Sequence, residues 1–184
     1  MTFELPPAAL ILAVLVVVGI AAVYDIRYRR IPNWLVLTGI LVGFGLNTFL
    51  FEWKGLRFSL LGLALAFLIY FPLYLLRGMG AGDVKLMASI GAMVGWADWM
   101  GIFIVTAILG GLAAIALLLR QSRLIYGLSN VGYMVGEIMS FRAPYVRNDS
   151  LDLRSSRSMK LPHGVFIALG SLIFLGAAWL CAPR

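Results

Sequence analysis

Two aspartates stand out in this sequence as residues able to do chemistry. Asp25 lies in Asp25-Ile26-Arg27-Tyr28-Arg29-Arg30-Ile31-Pro32-Asn33, directly after a long apolar run. Asp83 lies in Gly80-Ala81-Gly82-Asp83-Val84-Lys85 and opens a shorter apolar run. Either one alone reads equally well as a flanking charge or a helix N-cap, because carboxylates are common at helix ends. A pair brought together by helix packing has a specific chemistry. Two like charges in contact do not both ionise easily, so one holds a proton while the other stays basic. The basic member can deprotonate a water that attacks a peptide carbonyl, and the protonated one can donate to the carbonyl oxygen and then to the leaving nitrogen. Such aspartyl proteolysis uses no metal, no cofactor and no covalent intermediate.

The neighbouring residues qualify this picture. Gly80 and Gly82 leave room for another chain to approach Asp83, which makes them candidate substrate-binding positions together with Lys85. Lys85 and Asp83 point about 200° apart on a regular helix, so a direct ion pair between them is not expected. Lys85 either meets an acidic group of a substrate or extends to the lipid headgroups, the simpler reading. His163 is read as an interfacial histidine and Cys181 as inert. Gly39 with Gly43, and Gly91 with Gly95, have the spacing that lets helices pack closely.

The elements that must position these residues follow from composition. Of 184 residues, 62% are hydrophobic and 12% charged, with a mean hydropathy of +0.97. A soluble domain is about 45–50% apolar and about 25% charged, so the polar surface needed to face water is missing. The chain is therefore expected to be an integral membrane protein, not a disordered chain, a disulfide-built secreted domain or a nucleic-acid binder. One cysteine allows neither an internal disulfide nor a cysteine-built zinc site.

Uncharged runs from Ala8 to Tyr24, Trp34 to Phe51, Phe58 to Leu76, Trp99 to Leu119 and Gly164 to Ala182 are each long enough to cross a bilayer. A sixth, Leu86 to Ala97, covers only about 18 Å and crosses only if its helix runs from near Gly82 to near Trp99. Pro32 fits a helix start, leaving a tight link after Asp25. The expected architecture is an all-α membrane protein of about six transmembrane helices, forming a single domain over residues 1–184 with a cytoplasmic loop at about 120–162. Within that loop, 124–141 is read as a helix along the interface and 142–160 as a polar loop. Alternating the spans puts 12 of the 15 basic residues on one side and leaves Lys54, Arg57 and Arg184 on the other. Basic residues are retained in the cytoplasm, so both termini are expected outside and both aspartates on the cytoplasmic face. The first span lacks a basic n-region and is expected to be retained rather than cleaved as a signal peptide.

With these residues in place, the sequence resembles the type IV prepilin peptidase family of membrane aspartyl proteases. The likeness rests on Asp-x-Arg-x-x-x-Ile-Pro-Asn at 25–33 and Gly-x-Gly-Asp-x-Lys-Leu at 80–86, followed by Ile90-Gly91-Ala92 and Gly95. It extends to Leu161-Pro162-His163-Gly164 and Ala168-Leu169-Gly170, although the family usually has an aromatic residue where His163 stands. The resemblance implies that Asp25 and Asp83 are the catalytic pair. It also implies a prepilin or pseudopilin substrate, cut between a basic leader and a hydrophobic helix at the cytoplasmic face of a bacterial inner membrane. Larger members carry a cysteine-bearing insertion between the first two spans and also methylate the new N-terminus. Here that link is short and has no cysteine, which resembles the peptidase-only branch of Tad or Flp pilus systems. Three other readings compete: an ion-coupled transporter, a Gly-x-Gly-Asp protease that cuts within a substrate's span, and a structural role in pilus assembly.

Overall fold

The structure is a computed structural model, and it describes residues 6–75, 79–121, 129 and 162–181. The expected interfacial helix at 124–141, the polar loop at 142–160 and Arg77 lie outside the described residues. The described chain is helical: α1 Ala8–Tyr28, α2 Asn33–Leu75, α3 Ala81–Arg120 and α4 His163–Cys181. All four are long and apolar enough to cross a membrane, as befits a multi-pass membrane protein. Their outward faces carry large apolar side chains such as Phe49, Leu68 and Leu180.

Two of these helices are folded back on themselves. As a straight rod, α2 with its 43 residues would measure about 65 Å, twice the hydrocarbon thickness. It is broken at Glu52, whose φ of 53° and ψ of −136° are not helical. The hydroxyl of Ser59 then donates to the Gly43 carbonyl at 3.3 Å, although the two residues are 16 apart in sequence. A straight helix would hold them about 24 Å apart. In the same way α3 is broken at Gly95, where φ is 74°. Beyond the break the Trp99 indole donates back to the Met87 carbonyl at 3.0 Å.

The second break departs from the sequence reading, which carried the fourth helix on to Trp99. The first segment of α3 ends at Gly95 instead, because the ring of Phe58 packs where a Cβ on Gly95 would stand and the backbone takes a positive φ that glycine tolerates. Gly95 is thus a helix break as well as a packing glycine, its Cα lying against Gly62 of α2, and Gly91 packs closely too. A Cβ on Gly91 would overlap the Gly62 carbonyl and a Cβ on Gly62 the Gly91 carbonyl, so the two backbones touch.

The first segment of α3 is the axis of the bundle, with every residue from Leu86 to Gly95 buried. The legs of α2 flank it, one through Gly43 and Ala92, the other through Gly62 and Gly91. The second segment of α3 runs antiparallel to α4, with Gly101 on Phe174 and Thr106 on Gly170. Carbonyls near the break at Gly95 lose their helical partners, and burial in a membrane protein requires replacements. Asn47 supplies them, its amide donating to the carbonyls of Gly43, Ala92 and Met93 at 3.0, 3.2 and 3.0 Å.

Candidate active site

The buried positions of α1 are Leu10, Val14, Val17, Val18, Ala21 and Asp25, a stripe at helical spacing. Asp25 is the last member of that stripe, so the period that buries the apolar face carries its carboxyl inward, and it is only 8% exposed. It lies inside α1, not after it as the uncharged run suggested. The helix continues to Tyr28 and ends where Arg29 adopts a left-handed conformation, φ 53°, with its N–H bonded to the Asp25 carbonyl.

Asp83 lies in the first turn of α3. Gly80 caps this helix in an extended conformation, its carbonyl accepting the Asp83 and Val84 amides at 3.2 and 3.4 Å. The carboxyls of Asp25 and Asp83 lie close enough that their charges act on each other. Fifty-eight positions separate them in the sequence, yet the fold brings them to one end of the bundle.

A third element completes the site. The free N–H groups at the start of α4 form an acceptor-seeking terminus. The Gly164 amide donates to Asp25 Oδ2 at 2.9 Å. A Cβ at Gly164 would lie 3.1 Å from both Oδ2 and the Cβ of Asp25, so only glycine fits there without displacement. Sequence reasoning quoted Gly164 within a motif and gave it no role in the site. The available signal was Pro162 beside a helix start, which marks a row of unpaired N–H donors. Tyr70, also missed, is buried and lies in the electrostatic field of Asp83, while its ring packs on Trp99 and Phe103. His163 lies within electrostatic reach of Asp25, its ring edge-on to Phe166 at 6.5 Å.

The three expected substrate-binding residues have contacts within the chain. Lys85 donates to the Asn33 Oδ1 at 3.0 Å, which ties the Ile-Pro-Asn stretch to the helix bearing Asp83. Gly82 faces Ile31, whose Cβ would be 3.2 Å from an added Cβ, and Gly80 faces the Asp83 carboxyl at 3.0 Å on the same measure. Both glycines therefore make room for side chains of the site itself. Among the described residues, no group of three or more His, Cys, Asp or Glu side chains gathers as a metal-binding set.

Fold and site together define a multi-pass helical membrane protein that presents a carboxylate pair at one end of its bundle. The chain belongs to the type IV leader peptidase family, whose match covers residues 11–115 and includes both aspartates. It is also similar to a prepilin leader peptidase/N-methyltransferase of Myxococcus xanthus (strain DK1622), with 28% identity over 129 residues, 66% of this chain and 37% of that relative. The match thus spans well under two thirds of the relative's length. No solved structure matches the chain.

Proposed function

We propose that this protein is a prepilin leader peptidase, an aspartyl endopeptidase that removes the basic leader of type IV prepilins or pseudopilins. The observation that carries this reading is that Asp25 and Asp83, drawn from separate helices, lie within electrostatic reach of each other at the end of the bundle where α4 begins. In the mechanism, Asp25 accepts the Gly164 N–H through Oδ2 and is the general base, its other oxygen taking a proton from the attacking water. Asp83 gives its proton to the peptide carbonyl oxygen. As the gem-diol collapses, Asp25 passes the proton taken from water to the leaving nitrogen and Asp83 takes back a proton from a gem-diol hydroxyl, which restores the pair. Hydrogen bonding at Asp25 holds its carboxyl in orientation, and good orientation is a large part of what a catalytic pair contributes.

Six crossings follow if each broken helix counts as two spans, with both termini outside and the dyad at the cytoplasmic face of a bacterial inner membrane. Arg27, Arg29, Arg30 and Lys85 cluster in sequence around the dyad and support that sidedness. They also suit a membrane face at which a basic leader is released from a hydrophobic helix. The link between α1 and α2 is only 29–32, with no cysteine, which supports a peptidase without the N-methyltransferase activity named for the relative. Co-expression with a cognate prepilin tests the reading: leader loss is expected from the native chain and not from Asp25→Asn or Asp83→Asn. Full processing by both variants would falsify it.

A further inference from the structure

At the end of the bundle away from the dyad lies a cavity of about 800 Å³. It opens beside Pro7, at the start of α1, whereas Asp25 lies near the other end of the same helix, which puts the two sites about 27 Å apart. That separation is close to the hydrocarbon thickness, so the cavity mouth stands at the level of the opposite headgroup layer.

The lining is divided by chemistry. The buried carboxyl of Asp98, 8% exposed, lines the cavity and has no ion pair or hydrogen bond among the described residues, although Lys54 and Arg57 line the same cavity. At the mouth, Lys54 and Arg57 are exposed, Glu52 at the break of α2 lines the same opening, and the Arg57 guanidinium lies over the Trp53 ring at 5.6 Å. Leu10, Phe58 and Met93 complete an apolar wall. Unpaired buried acceptors are costly unless something donates to them. A buried carboxyl beside a pair of cations calls for a ligand with a hydrogen-bonding cation at one end and an anion next to it.

We propose that this cavity binds the phosphoethanolamine headgroup of a membrane lipid, its ammonium donating to Asp98 and its phosphate meeting Lys54 and Arg57. A primary ammonium carries three N–H donors that can meet the Asp98 carboxyl, while a trimethylated ammonium carries none. Lysine and arginine are ordinary phosphate partners, and the apolar wall leaves the acyl chains on the lipid side.

The test is native mass spectrometry of the full chain reconstituted with phosphatidylethanolamine, phosphatidylcholine or phosphatidylglycerol of identical acyl chains. Retention of the ethanolamine lipid over the choline lipid by about tenfold is expected, the value of one hydrogen bond to a charged group. Asp98→Asn should erase most of that preference, and the paired change Lys54→Ala with Arg57→Ala should weaken all three phospholipids alike. If Asp98→Asn does not fold, the native comparison and the paired change still decide. Equal retention of the ethanolamine and choline lipids overturns the proposal. So does tighter binding of soluble phosphoethanolamine than of the lipid, which would assign the cavity to a soluble ligand.

Discussion

The two segments of α3 begin alike. One starts at Gly80 with Asp83 three residues on, the other at Gly95 with Asp98 three residues on. Both acids therefore sit in the first turn of a helical segment, where the helix dipole favours a negative charge. Their surroundings differ. Asp83 lies in the field of a second carboxyl from α1, while Asp98 has no charged partner among the described residues and lines a cavity. The helix start accounts for an acid being tolerated in an apolar bundle. The second carboxyl turns that acid into a candidate catalyst, and its absence leaves Asp98 free to hold a cation.

The largest expected effect separates the two aspartates most clearly. Asp83→Asn or Asp25→Asn should lower leader cleavage by about a thousandfold, the scale of a lost general acid or base. The same exchange at Asp98 should leave readily measurable turnover, and comparable losses at all three positions in a purified assay would erase the distinction. A pair sharing one proton also predicts a bell-shaped pH profile of kcat/KM, with limbs changing about tenfold per pH unit. A profile with a single limb would mean that only one carboxyl titrates in the reaction. Gly164→Ala would push against the Asp25 carboxyl, and about a tenfold fall in kcat with little change in KM is expected from misplacing a reacting group. An equal rise in KM would point instead to a substrate contact at α4. The smallest effect belongs to the clamp beneath the site. Lys85→Ala and Asn33→Ala should each lower activity about two- to threefold and couple by about 0.5 kcal/mol in a double-mutant cycle. Additive losses would show that Lys85 acts elsewhere, for instance on the substrate.

How much of this was legible in the sequence depended on whether a feature leaves a mark in residue type. Charges are scarce, so the uncharged runs mark the helices and the two aspartates are easy to find. Gly-x-Gly before Asp83 signalled crowding, and its neighbours within the chain are Ile31 and the Asp83 carboxyl. The break at Gly95 lies inside an uncharged run, and one glycine among 20 carries no sign that it bends the helix where Gly91 does not. Asn47 was overlooked because a single amide in an apolar run reads as an incidental polar residue. The contribution of Gly164 comes from its backbone N–H, which every residue but proline has. Tyr70 reads as one more core aromatic until the fold sets it near Asp83.

The link between α1 and α2 has a consequence for how the reaction can proceed. Its four residues, 29–32, are fastened to the start of α3 on both sides of Asp83: Ile31 against Gly82, and Asn33 against Lys85. Asp25 and Asp83 are thereby splinted together and cannot drift apart independently. Mutual repulsion between the two carboxyls is met once, when the chain folds, and not again at each turnover. In the proposed reaction an incoming peptide would encounter an assembled pair, and α4 adds a backbone contact to it, the Gly164 amide on the Asp25 carboxyl.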